Sequence, residues 1–221
     1  MKNIFIFLLI SAISVTGKAQ TNSKINQSLA DSLAKWAAVD QTAMRPQPKT
    51  GLRSGLTRQQ WRAYQDSVTN TNQKRVEAVF DQYGFPGYDL VGTSGSTHFW
   101  LMMQHFDKYP EFQVKVLAAM KNQVNRKNAN PENFAYLQDD VLLNTGHKQL
   151  YATQVTYNTK NGQAYPKPVA DSLNVDNRRK EVGLEPLRIY LNDLTRAHFL
   201  MNDDFFKQAG IKEPTLYEVG K

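Results

Sequence analysis

Residues 57–87, TRQQWRAYQDSVTNTNQKRVEAVFDQYGFPG, carry the pattern that decides the fold. Thr57-x-x-Gln60 is a capping-box signature, in which the threonine hydroxyl and the glutamine amide satisfy the first N–H groups of a helix reciprocally. Behind it Trp61, Tyr64, Val68, Val76, Val79, Phe80 and Tyr83 form one apolar face at helical spacing. Gly84-Phe-Pro-Gly87 then supplies the stop. The stretch predicts one long amphipathic helix.

Working outward toward the N-terminus, Ile25, Leu29, Leu33 and Trp36 recur at steps of four, four and three, which predicts a helix over 25–39. Asp40 to Gly55, with Pro46, Pro48, Gly51 and Gly55, reads as a loop whose flexible part is near 43–56. On the other side, Tyr88 to Val91 reads as a short extended piece. Gly92-Thr-Ser-Gly-Ser96 then turns the chain into a helix from about His98 to Asp107. Pro110 and the pair Asn130-Pro131 mark two further helix starts, the first carrying Phe112, Val116, Met120 and Val124, the second Phe134, Leu137 and Val141. Gln149–Tyr157 is rich in Thr, Val and Tyr, and with Asn158–Gly162 as turn and Gln163–Val169 as return it predicts a β-hairpin. Pro166 and Pro168 confine the return strand to an edge. Val175–Val182 is a helix closed by Gly183, and Pro186 opens another through Leu187, Tyr190, Leu191, Leu194 and Phe199. The expected architecture is mainly α: a single compact helical domain over 20–207 with one small β-hairpin, followed by a loose tail, 208–221.

The first nineteen residues predict export. Lys2 supplies the charge, Ile4–Val15 an apolar run, and Gly17 and Ala19 small residues at the −3 and −1 positions of a cut before Gln20. The run is too short for a membrane anchor, which needs about 20 apolar residues. No later segment approaches that length, so no transmembrane segment is expected once the leader is gone. The expected location is periplasmic or extracellular. The chain has no cysteine, which excludes disulfides and thiolate metal ligands. Its formal charge of +7 loses two units with Lys2 and Lys18, and the remaining excess sits in residues 20–80. That local concentration argues against nucleic acid as a partner.

Few residues could carry chemistry. His98 and His105 are seven apart, about 10.5 Å along a helix axis, so they cannot hold one metal. Neither metal nor cofactor is expected. Ser94 lacks the G-x-S-x-G form of a nucleophile elbow and reads as a helix cap. What remains is polar density beside apolar residues in 98–107 and 136–154. Gln104, His105 and Asp107 follow the run Phe99–Met103. Asp139 and Asp140 follow Tyr136-Leu137. Gln149, Tyr151 and Thr153 would share one face of the first hairpin strand, with Gln154 on the other.

The order and spacing of several of these groups resemble a family of bacterial proteins known only as a domain of unknown function. The resemblance runs from Asp40-Gln41 with Arg45, through Gly84-Phe-Pro86 and Val91-Gly92, to Gln104-His105-x-Asp107 and Pro110-x-Phe112-Gln113. It continues in Tyr136-Leu137-x-Asp139, Gly146-x-x-Gln149-x-Tyr151-x-Thr153-Gln154 and Arg178-x-x-x-x-Gly183-Leu184-x-Pro186-Leu187. It covers about 40–191. Three positions depart from the pattern: Asp140 stands where arginine is usual, Ala152 where glycine is, and Tyr109 where an acidic residue would cap the Pro110 helix. The resemblance implies no activity.

Two functions fit. With no nucleophile or metal set, the sequence favours a protein that binds a small polar ligand, such as a sugar or peptide, or an envelope component, or that serves a structural or interaction role. Asp40, Gln41, Arg45, Gln104, Gln149, Tyr151 and Gln154 are then the ligand-binding set. That reading expects Trp100 or Tyr151 exposed and no histidine–carboxylate contact. The alternative is an extracytoplasmic hydrolase or lyase with His105, Asp107 and Asp139 catalytic: His105 acts as general acid/base, Asp40, Asp107 or Asp139 orients it, and Gln149, Tyr151 and Gln154 bind substrate. In a purely structural role, every buried Gln and Asp would be satisfied by backbone groups.

Overall fold

A computed structural model of the chain describes residues 25–48, 50–51 and 53–219; the expected leader and its cut site lie outside the described residues. The fold is mainly α, with eight α-helices and one two-stranded antiparallel hairpin among the described residues. They group into two compact units, divided between His147 and Lys148.

The first unit holds five helices: α1 (Gln27–Met44), α2 (Arg58–Tyr83), α3 (Tyr88–Met103), α4 (Pro110–Asn125) and α5 (Pro131–Asn144). The capping box of α2 forms as expected, with Thr57 Oγ1 accepting from Gln60 N and Gln60 Oε1 accepting from Thr57 N. Pro110 and Pro131 occupy first-turn positions, and Asn130 caps α5 by accepting from Asn133 N. Tyr109 gives α4 no side-chain cap.

Two boundaries differ from the expectation. Helix α1 does not end at residue 39. Its buried stripe Leu33, Ala37, Asp40 and Ala43 keeps helical spacing to Met44. Arg45 is extended, as the residue before Pro46 must be. Gln65 on α2 donates to the Ala43 carbonyl, one of the acceptors that a helix end leaves open. Asp40 is therefore a helical residue and not a loop residue. Helix α3 begins at Tyr88, so the expected extended piece is helical. Asn128 caps it from outside: its carbonyl accepts from Tyr88 N and its Oδ1 from Asp89 N. Gly92, at φ 71, kinks α3. The helix also stops at Met103, earlier than the expected Asp107, and residues 104–109 form turns. Phe85, Phe99, Met102, Met103, Phe106, Val116, Met120 and Leu137 make the centre of this unit's core.

The second unit holds β1 (Val155–Tyr157), β2 (Ala164–Pro166), α6 (Val175–Glu181), α7 (Leu187–Met201) and α8 (Asp203–Gln208). The hairpin is shorter than the alternation of residues suggests. Residues 149–154 are not strand. The Gln149 side chain takes the place of a neighbouring strand, and Ala152 adopts φ 58, which no strand allows. The hairpin turn packs on an aromatic group: Tyr157 stacks on His198 at 3.9 Å, and Phe199 on Phe206 at 4.7 Å. The chain after α8 is held at Tyr217, which exchanges two hydrogen bonds with Asn192 and donates its hydroxyl to the Ala164 carbonyl.

Candidate functional site

In the first unit, the extension of α1 carries Asp40 to the turn that follows α3. Asp40 Oδ2 accepts from His105 Nδ1 at 2.6 Å, and the two side chains are 0% and 6% exposed. Gln41 Nε2 adds a second, longer bond to the same oxygen at 3.3 Å. A carboxylate on Nδ1 fixes the ring's orientation and favours one tautomer. Asp40, expected either to bind ligand or to orient His105, is thus in direct contact with the ring. Arg45 is exposed at the end of α1 and forms no ion pair among the described residues.

The turn bearing His105 is tied down from α4 and α5. Gln113, fully buried, donates to the Met103 carbonyl at 3.0 Å and to Asp140 Oδ2 at 3.4 Å. Asn144 donates to the Asp107 carbonyl at 2.9 Å and to Gln113 Oε1 at 3.2 Å. Asp140 is one of Gln113's acceptors. Asp107 itself is exposed, and Asp139 is fully buried on α5. Gln113 and Asn144 escaped the sequence reading as site residues; Gln113 was visible only as part of the family pattern.

Three buried polar atoms around this turn have no hydrogen-bond partner: Asp40 Oδ1, Trp100 Nε1 and Gln104 Nε2. Trp100 is 7% exposed and meets the Tyr136 ring edge-on, and Tyr151 is half-buried, so neither ring expected to be exposed in a binding role is fully so. His98, also on α3, keeps Nδ1 buried without a partner, and burial pushes its pKa below the usual 6.5. A shallow depression on the outer face of α2, lined by Asp66, Asn70, Lys74 and Arg75, takes no part in this arrangement. Asp66 there pairs with Lys108, and Asn70 accepts from the Tyr109 hydroxyl.

The polar residues of the second unit are arranged differently. Gln149, fully buried, donates through Nε2 to the carbonyls of Gln154 and Lys167 at 2.9 and 2.8 Å, and its Oε1 accepts from Gln154 N. The carbonyls of the loop it closes are taken by α6 and α7. Arg178 donates to Leu150 O, the buried Arg179 to Tyr151 O, and the Tyr190 hydroxyl to Thr153 O. Arg179 also donates to Glu185 O at 2.6 Å and lies 4.7 Å over the Tyr190 ring. Gln149 and the Gln154 backbone therefore build the loop, and Tyr151 presents its carbonyl to α6. The partners of Arg179 and Tyr190 are carbonyls, which a sequence pattern does not display. Among the described residues, no cluster of His, Cys, Asp or Glu could hold a metal. No described helix is long and apolar enough to cross a membrane.

Residues 56–202 match a family described as a family of unknown function (DUF6624). His105, Asp107, Asp139 and the 149–154 loop lie inside the matched span, whereas Asp40, Gln41 and Arg45 precede it. No curated protein and no solved structure matches the chain.

Proposed function

The chain belongs to the family of unknown function DUF6624, which lends it no activity, and we propose from its own geometry that it is an exported acid–base enzyme, a hydrolase or lyase. The observation that carries this reading is the buried 2.6 Å contact between Asp40 Oδ2 and His105 Nδ1. It is the contact that a pure binding role does not need. Export rests on the leader pattern of residues 1–19. In this reading His105 Nε2 takes a proton from water or from the substrate. Asp40 stabilises the imidazolium that forms and does not take the proton itself. Gln113 and Asn144 hold the turn in place, and Gln41 steadies Asp40.

A binding role without chemistry keeps one support, the unsatisfied polar atoms of Trp100 and Gln104. The two readings are separated by His105→Gln. Wild type and variant are assayed on a panel of chromogenic carboxylic esters, amides, phosphate esters and glycosides, with circular dichroism to confirm folding. General acid–base catalysis is worth about 10²–10⁴-fold, so the folded variant should lose at least about 10²-fold on whichever class is turned over. A folded His105→Gln protein with the wild-type rate, or no turnover of any class, contradicts the enzyme reading.

A further inference from the structure

We infer that Trp100 and Gln104 are the donors that hold the substrate's acceptor oxygen, and that the substrate is a carboxylic amide or ester. The inference rests on the acid–base reading of His105 and names the substrate class of that site. Trp100 and Gln104 lie one helical turn apart at the end of α3, so their side chains are neighbours, and His105 follows directly. The Gln104 N–H still bonds back to the Trp100 carbonyl, which keeps that register. The indole nitrogen is a donor only, and the amide nitrogen carries two further donors. Both are buried and neither has a partner. Buried donors are nearly always satisfied in folded proteins. The buried glutamines Gln113 and Gln149 each reach a carbonyl oxygen through the amide nitrogen, whereas His98 Nδ1 and the Tyr157 hydroxyl, like Trp100 and Gln104, are buried without a partner. Two donors without an acceptor beside a histidine–carboxylate pair call for an oxygen that gains negative charge.

The chemistry balances with water alone. His105 Nε2 removes a proton from water as its oxygen bonds to the carbonyl carbon. The electron pair of the C=O bond moves onto the oxygen held by Trp100 and Gln104. When the C=O bond re-forms, the leaving amine or alcohol departs with its bonding pair and takes the proton from His105. Asp40 keeps the ring oriented throughout.

The test uses ¹⁵N-labelled full-length protein and acetamide as the carbonyl probe. The chain has three tryptophans, Trp36, Trp61 and Trp100, so a Trp100→Phe sample identifies the Trp100 indole signal by its loss. Acetamide should move the Trp100 indole and Gln104 amide signals together and saturably, leaving those of Trp36 and Trp61 in place. Gln104→Leu, or the isosteric Gln104→Glu if the leucine variant does not fold, should weaken the acetamide Kd by about tenfold or more, the scale of one lost donor. His105→Gln should leave acetamide binding intact, so that failure of the acid–base reading and failure of this inference are told apart. A Trp100 signal that acetamide does not move, or a Kd unchanged without the Gln104 donors, overturns the inference.

Discussion

The turn at 104–107 and the loop at 149–154 share one feature in the sequence: each sets glutamine close to an aromatic residue, in Gln104-His105-Phe106 and Gln149-Leu150-Tyr151. The structure uses them in opposite ways. In the loop, Gln149 bonds at both amide atoms to backbone, and arginine and tyrosine side chains take the carbonyls of Leu150, Tyr151 and Thr153. At the turn, a carboxylate and a histidine meet, while Trp100 Nε1, Gln104 Nε2 and Asp40 Oδ1 are buried without partners. One polar cluster completes the fold. The other brings a histidine and a buried carboxylate together.

The contrast is broken or sharpened by substitution. The largest effect on stability should come from Arg179→Met. It removes a fully buried guanidinium from the Tyr151 and Glu185 carbonyls, at a cost of about 4 kcal/mol in urea unfolding. Gln149→Leu, which strands two carbonyls and one N–H, should cost about 3 kcal/mol by the same measurement. If either variant is as stable as wild type, the loop is not the scaffold described above. Ala152→Gly should act in the opposite direction. Alanine at φ 58 is in the left-handed region that favours glycine, so the variant should gain about 1 kcal/mol.

These three positions also show where the sequence stops being legible. Local signals sufficed for the Thr57–Gln60 box, the Pro110 and Asn130-Pro131 starts and the Gly183 stop, because each helix end is set by residues within one turn of it. The alternation of Gln149, Tyr151 and Thr153 misled. A side chain replaced the strand partner there, and that exchange depends on Lys167, far along the chain. Helix α1 was cut short at Asp40 for a related reason. Its stop is Pro46, and its end is held by Gln65 from another helix. Asp40 is one of three carboxylates that the sequence offers as a partner for His105, and the contact joins positions 65 apart, so no local pattern selects it.

A smaller effect is expected from pH. Burial lowers the pKa of His98 in the first unit and of His198 in the second. The unfolded chain therefore binds protons first as pH falls below about 6.5, and stability drops toward the folded-state values and levels off beneath them. Thermal unfolding between pH 7.5 and 5.5 should show this slope, and His98→Gln and His198→Gln should each flatten it. An unchanged slope in both variants would assign the pH dependence to other groups. The smallest effect should be that of Gln104→Leu on folding, within about 0.5 kcal/mol, because the amide nitrogen it removes has no partner. A loss near that of Gln149→Leu would mean that Gln104 belongs to the scaffold too.

The central claim is that Asp40 fixes His105 for proton exchange at Nε2. It is tested most directly by the long-range ¹H–¹⁵N spectrum of the histidine rings, with His105 assigned by its loss in His105→Gln. With the ring neutral, the account predicts a protonated Nδ1 and an unprotonated Nε2, with that preference weakened or reversed in Asp40→Asn. A wild-type His105 carrying its proton on Nε2, or a tautomer indifferent to Asp40→Asn, would contradict it.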